Sequence, residues 1–143
     1  MTKEKMTFVL EKDEDGYPAD DFETVWVEQI GKITYRIDNI PFYITGVSPD
    51  DIVEGEICDQ TLMFRRLINK SEISVIRLIF FNLLESNRII DKLVGFGCRW
   101  EGSHLKQLFS VEVPKLSDYN AIIEMLENEA ASDILDYEEA SRR

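Results

Sequence analysis

The sequence is poor in the residues that build membrane spans, disulfide frameworks and metal centres. Its 143 residues include two cysteines and one histidine. No apolar run reaches the roughly 18 residues that a membrane-spanning helix needs. The apolar part of the N-terminus is too short for a signal peptide, and "EKDED" follows it directly. Two cysteines are too few for a disulfide framework, so we expect a cytoplasmic protein with reduced thiols.

Motifs for catalysis and cofactor binding are missing as well. The chain has no C-x-x-C, H-E-x-x-H, G-x-S-x-G, Walker or G-x-G-x-x-G pattern. The acidic stretch "EKDEDGYPADD" lacks the twelve-residue calcium pattern with its closing glutamate. We therefore predict a protein that is not an enzyme, with no catalytic, cofactor-binding or metal-binding residues.

Positive charge is scarce. The chain carries 16 Lys and Arg against 28 Asp and Glu, which gives a net charge of −12, and both halves are acidic. Such a surface repels phosphate backbones and anionic lipids, which argues against nucleic-acid and membrane partners. It attracts a basic protein and speeds its association. The alternative is that the acidity only keeps a small protein soluble.

The first half of the chain has the alternating apolar pattern of short strands. Residues 6–12 form one such run, and residues 22–30 and 32–40 flank a turn at Gly31–Lys32. A second hairpin is predicted at 51–69, with its turn at Asp59–Gln60. Together these runs predict a small antiparallel β-sheet or partial barrel over residues 6–70.

The second half alternates strands with helices. An almost continuous apolar run at 73–81 predicts a central strand. A helical stripe with Ser86 as its predicted N-cap follows, then strands near 98–102 and 108–114, a helix opened by Ser117 or Asp118, and a final edge strand. This order predicts a ferredoxin-like βαββαβ plait over residues 71–140. We expect an α+β fold with the N-terminal sheet packed on the plait in one compact unit.

The stretch "GCRWEGSHL" concentrates reactive residue types. Strand alternation places Cys98 and Trp100 on one side of a short strand, and burial raises the pKa of a thiol. A Cys/His nucleophile needs both groups within hydrogen-bond reach, whereas Cys98 and His104 lie at opposite ends of the strand and turn. The stretch is typical of a structural hairpin. There are two alternatives. The stretch is a partner-binding loop with His104 as its contact, or it belongs to an enzyme that uses Cys98.

Acidic side chains form two clusters, "ADDFE" and "SPDDIVEGE", each near aromatic residues. Close carboxylates can perform acid–base chemistry, but a small sheet offers no evident cleft. The two remaining interpretations are a solvated turn and a docking patch for a basic partner. The predicted partner contacts are Asp20, Asp21, Glu23, Asp50, Asp51, Glu54, Glu56, Tyr17, Phe22, Trp26, Tyr43 and His104.

Several stretches in succession resemble one known family. They are "LEKDEDGYPADDFETVWVE", "YRIDNIPFYITGVSPDDIVEGE", "FRRLINKS", "CRWEGSHL" and "DYEEA". The chain resembles the bacterial domain-of-unknown-function family numbered four-two-six-five over roughly residues 8–140. The resemblance implies that these stretches are fold elements. It implies no activity and no catalytic residue.

Composition and charge favour a binding protein over an enzyme. The concrete hypothesis is a bacterial immunity protein that neutralises a basic nuclease-type toxin by direct binding. Nuclease toxins are basic because they bind phosphate, and an acidic surface complements them. The alternative is a small-molecule-sensing or regulatory domain, which rests on the ferredoxin-like fold alone.

Overall fold

The computed structural model describes residues 3–143 and has an α+β fold. Within that range the chain forms nine β-strands, two α-helices and one 3-10 turn. It divides into two compact units, Met1–Ser71 and Glu72–Arg143.

The first unit is a five-stranded barrel. Its strands are β1 (Lys3–Val9), β2 (Phe22–Gln29), β3 (Thr34–Ile37), β4 (Ile52–Cys58) and β5 (Thr61–Asn69). Consecutive strands pair antiparallel, and a parallel contact between Thr7 of β1 and Met63 of β5 closes the barrel. The sheet therefore closes fully, where the sequence pattern left open an ordinary sheet or a partial barrel.

Strand alternation places the core of the barrel where the sequence predicts it. Val25 and Val27 of β2 are buried, and Trp26 between them is 46% exposed.

The turn at Asp59–Gln60 is confirmed, since β4 and β5 pair on either side of it. Both turn residues have positive φ angles, 50° and 68°, as a two-residue type I′ hairpin turn requires.

One glycine of β4 is held by close packing. A Cβ atom added to Gly55 would lie 2.7 Å from Met6 Cε, and 2.9 Å from both Leu62 Cδ1 and Tyr35 Cε1. All three contacts are with side chains of the barrel core. Any larger residue at this position must therefore push the core apart.

The second unit is a four-stranded antiparallel sheet with two helices. Its elements are β6 (Ser74–Phe80), α1 (Ser86–Gly95), β7 (Arg99–Gly102), β8 (Leu108–Val113), α2 (Tyr119–Ala131) and β9 (Leu135–Ser141). The strands lie in the order β7-β8-β6-β9. The predicted central strand, β6, and the predicted edge strand, β9, are both confirmed.

The helix starts differ in how they are capped. The predicted N-cap Ser86 is wrong, because a 3-10 turn at Leu83–Glu85 precedes α1 and Ser86 is already helical. The side chain of Asn82 caps that turn by accepting a hydrogen bond from the Leu84 N–H at 3.2 Å. Asp118 is the N-cap of α2, and its carboxylate accepts from the Ala121 N–H at 3.1 Å, as the sequence allowed.

The core of the second unit lies between the sheet and the helices. The central strand contributes Ile76, Leu78 and Phe80 to this core, and Cys98 is buried among them. Arg77, on the opposite face of β6, is 4% exposed. This two-sided burial explains why β6 reads as a continuous apolar run with one charge. Among residues 3–143 no helix has the length and apolar character needed to cross a membrane.

Candidate functional site

The connection between β1 and β2 is the most acidic segment of the first unit. Residues 11–21, here called the acidic loop, contain six carboxylates and one lysine. The Leu10 N–H donates to the Asp21 carbonyl at 2.9 Å and closes the base of the loop. Inside it, Asp13 accepts from the N–H groups of Asp15 and Tyr17, both at 2.9 Å. The loop is therefore an ordered, hydrogen-bonded structure.

The single lysine of the acidic loop faces its main chain. The ammonium nitrogen of Lys12 lies 2.6 Å from the Pro18 carbonyl, 3.1 Å from that of Ala19 and 3.0 Å from that of Asp20. It also lies 3.3 Å from Asp21 Oδ1. This cation is thus used within the loop, and it neutralises Asp21 alone among the carboxylates.

Four carboxylates of the acidic loop remain directed to solvent. They are Glu11, Glu14, Asp15 and Asp20, all exposed, and their side chains make no ion pair or hydrogen bond with residues 3–143. A concentration of uncompensated negative charge on a rigid loop produces a local field that attracts cationic groups. These four groups form the acidic part of the candidate site.

Aromatic side chains border this negative charge. Tyr17, within the loop, is 51% exposed, and Phe22, directly after it, is 56% exposed. The ring of Tyr17 meets that of Tyr43 edge to face, with 6.3 Å between centroids. The four outward carboxylates with Tyr17, Phe22 and Tyr43 are called the loop surface below. Exposed aromatics beside charge are typical of protein interfaces.

Glu23 supports the loop surface from within the barrel. Its carboxylate accepts hydrogen bonds from the N–H groups of Phe42 (2.6 Å), Tyr43 (3.0 Å) and Ile44 (2.9 Å). The side chain was predicted as a partner contact. Its position shows a different use, because it holds the segment that carries the Tyr43 ring.

Trp26 lies apart from the acidic loop. It is four residues beyond Phe22 on β2, about 13 Å away at roughly 3.3 Å per residue. The ammonium group of Lys5 covers its ring at 5.2 Å from the centroid, and Lys3 pairs with Asp38 at 2.7 Å nearby along the same strands. A surface that already presents cations is a poor match for a basic partner, so Trp26 is not part of the loop surface.

The second predicted acidic cluster is paired with arginines. Asp50 pairs with Arg36 at 2.7 Å, and Glu54 pairs with Arg66 at 3.0 Å. Glu56 pairs with Arg65 in the same way. Arg36 also pairs with Glu28 at 2.8 Å and lies 3.7 Å from Asp38, so its single charge is shared and the cluster keeps part of its negative charge. Each of these three carboxylates nevertheless already faces an arginine within the barrel unit.

Asp51, the fourth acid of that cluster, is a buried structural residue. It is fully shielded from solvent. Its Oδ2 atom accepts from the Ser48 N–H at 2.9 Å and its Oδ1 atom from the Ser71 N–H at 2.8 Å. A carboxylate in this position stabilises the connection between β3 and β4, and no partner can reach it.

The stretch 97–105 is divided between the core and an exposed turn. Cys98 is 5% exposed within the core of the second unit, and burial, followed by the nearby Glu112 charge, raises the pKa of its thiol to about 11. Trp100 packs on Phe109, with 5.5 Å between centroids. His104 is exposed in the turn after β7, in the second unit. A thiol that is neutral at pH 7 is a poor nucleophile.

The described part of the chain has no group of three or more His, Cys, Asp or Glu side chains arranged to hold a metal ion.

The sequence contains a signal for the loop surface that the spacing of known motifs does not reveal. Glu11, Glu14 and Asp15 stand in the same turn-rich run as Asp20. The density of carboxylates in a loop with a single cation is the feature that marks it.

Comparison with known proteins supports the family resemblance and the fold. The family model described as "Domain of unknown function (DUF4265)" matches residues 23–137, which confirms the resemblance. None of the curated proteins compared with the chain matches it. A solved structure titled "Novel crystal structure of a hypothetical protein from Neisseria gonorrhoeae" is similar, with a TM-score of 0.86 and 20% identity. The similarity covers 99% of this chain and 96% of that one, and at this identity it shows the fold alone.

Proposed function

We propose that this chain, which belongs to the DUF4265 family, is a non-enzymatic protein that binds and neutralises a basic protein partner. In its concrete form it is an immunity protein that acts in the cytoplasm against a nuclease-type toxin. The family carries no known activity, so the proposal stands on the charge and geometry of the surface.

The observation that carries the proposal is the loop surface. Four exposed carboxylates whose side chains make no ion pair within residues 3–143 lie on a hydrogen-bonded loop, next to the exposed rings of Tyr17 and Phe22. The carboxylates would steer a basic protein into contact. The rings of Tyr17, Tyr43 and Phe22 would supply the desolvated centre that dominates affinity in most interfaces. A protein that binds nucleic-acid phosphates presents the complementary positive surface.

The second unit supports a finer assignment of fold. The order of elements, βαββαβ, and the antiparallel strand order β7-β8-β6-β9 support a ferredoxin-like plait. Plaits bind many kinds of ligand, and a fold alone names none of them. The sensor or regulatory alternative therefore has no residue in its favour, whereas the binding protein has the loop surface.

Co-expression with the product of the neighbouring gene tests the function. We expect that product to be toxic alone, harmless with this protein, and co-purified with it. Charge reversal then locates the site: Asp15→Lys with Asp20→Lys on the acidic loop should weaken binding about 100-fold, a size typical of charged interface pairs. The matched control, Asp91→Lys with Glu124→Lys, makes the same change in net charge on exposed helix positions. Titration calorimetry at low and high salt measures both.

Two outcomes would contradict the proposal in different ways. If the neighbouring product remains toxic when this protein is present, or is not toxic at all, the immunity function is wrong. If both double variants lose affinity equally, the interaction depends on overall charge, and the loop surface is not the binding site.

A further inference from the structure

Lys12 is unusual among the cations of the first unit. The arginines there pair with side-chain carboxylates, as Arg36 does with Asp50 and Arg66 with Glu54. The ammonium group of Lys12 instead meets three consecutive main-chain carbonyls, those of residues 18–20, and one carboxylate oxygen. An ammonium group has three N–H donors, and these four acceptors are enough to engage all of them.

The acidic loop needs such an internal cation. Its outward carboxylates repel one another, and repulsion between like charges favours an expanded loop. Asp13 holds the first half of the loop through the N–H groups of residues 15 and 17. Lys12 holds the second half through the carbonyls of residues 18–20. The bond to the Pro18 carbonyl is part-buried, whereas those to the Ala19 and Asp20 carbonyls are exposed, so water weakens the latter two more than the first.

We propose that Lys12 is a positioning residue, which holds the acidic loop in the conformation that a basic partner meets. Its consequence for binding rests on the proposed function, whereas its consequence for the order of the loop does not. A loop that is already ordered loses little conformational freedom when it binds. Lys12 would thus contribute to affinity although it carries the same sign of charge as the partner.

Two simple expectations conflict for the variant Lys12→Met. The variant has a more negative net charge than the parent chain, and on that ground alone it should bind a basic partner more tightly. If Lys12 positions the loop, the variant should bind more weakly, mainly through faster dissociation. Lys32→Met is the matched control, since Lys32 is an exposed lysine of the same unit whose ammonium group has no partner among residues 3–143.

Hydrogen exchange on the full chain without a partner tests the order of the loop. The N–H of Asp13 donates to the Tyr17 carbonyl at 2.8 Å, and that of Leu10 donates to the Asp21 carbonyl at 2.9 Å. The two acceptor residues border the segment 18–20 whose carbonyls Lys12 holds. In Lys12→Met we expect both amides to exchange about tenfold faster or more, the size of one lost charge-assisted bond. Amides of Val25 and Val27 in the barrel serve as the internal reference. Lys32→Met should change none of them.

The results separate this inference from the proposed function. Unchanged exchange at Leu10 and Asp13 in Lys12→Met would overturn it, and so would equal acceleration at these amides and in the barrel, which reports a general loss of stability. Selective acceleration supports the positioning role even if no basic partner is found. With the toxin in hand, weaker binding of Lys12→Met but not Lys32→Met supports the binding consequence, and tighter binding of both refutes it.

Discussion

Glu23 should be the acidic residue of the candidate site whose loss most weakens the barrel. The substitution Glu23→Ala removes the acceptor of three main-chain hydrogen bonds, from Phe42, Tyr43 and Ile44. A net contribution of about 1 kcal/mol for each bond is appropriate, because the side chain is half-buried and water replaces part of what is lost. We therefore expect the free energy of unfolding of the first unit to fall by about 3 kcal/mol.

Urea unfolding followed by tryptophan fluorescence measures this change. Each unit has one tryptophan, Trp26 in the first and Trp100 in the second, so the background Trp100→Phe reports the barrel alone. With a urea dependence of about 1.5 kcal/mol per M, the midpoint should fall by about 2 M. Glu23→Gln should lose less, since its amide oxygen can still accept from two of the three donors.

The control for this prediction is Asp20→Ala. It removes the same charge from the same acidic region, and the Asp20 side chain makes no hydrogen bond within residues 3–143. Its free energy of unfolding should stay within about 0.5 kcal/mol of the parent value, as for most surface substitutions. If Glu23→Ala and Asp20→Ala unfold at the same urea concentration, Glu23 does not support the segment that carries Tyr43, and that part of the site is wrongly described.

Three further predictions concern packing, thiol reactivity and pH. Gly55→Ala should destabilise the barrel by about 1–3 kcal/mol because its Cβ enters the core. Gly95→Ala, with open space around the added atom, should leave the second unit equally stable or stabilise it, as measured by Trp100 fluorescence in a Trp26→Phe background. In native protein at pH 8 a thiol reagent should modify Cys98 far more slowly than in denaturant, since burial raises the pKa of its thiol; equal rates would place it outside the core. Hydrogen bonds from Arg88 hold the pKa of Glu129 below its usual range, so the stability that this carboxylate contributes is present above about pH 4.3 and is lost as pH falls through its folded value. The acid-induced loss of stability should therefore be smaller in Arg88→Gln, and an unchanged acid profile would show that the pair contributes nothing.

Local pattern was enough to predict most strands and both helices. Val25 and Val27 alternate with exposed neighbours, and Asp59–Gln60 is a turn, because these features depend on residues close in the chain. The start of α1 was misplaced, since the capping of the preceding turn by Asn82 has no strong sequence signal. Element order was likewise sufficient to predict a sheet with helices in the second half.

The candidate site was predicted less well, for a physical reason. A sequence shows at which positions carboxylates occur, but it does not show which hydrogen-bond donors lie next to them in the fold. Asp51 and Glu23 look the same as Asp20, yet the fold brings main-chain N–H groups to the first two and leaves the third in water. Burial of a charge is tolerated only when such partners are supplied.

By itself the sequence determined the acidity of the protein, its division into a β-rich half and an α+β half, and the faces of its strands. These properties follow from composition and from contacts between near neighbours. Only the tertiary structure decided which charges remain available. Arg36 and Arg66 lie on the strands neighbouring β4 and pair with one acidic cluster, while Lys12 bonds to the main chain of its own loop and leaves the outward carboxylates there exposed. Pairing between charges depends on distances of a few ångströms across the fold, and the linear order of residues does not contain them.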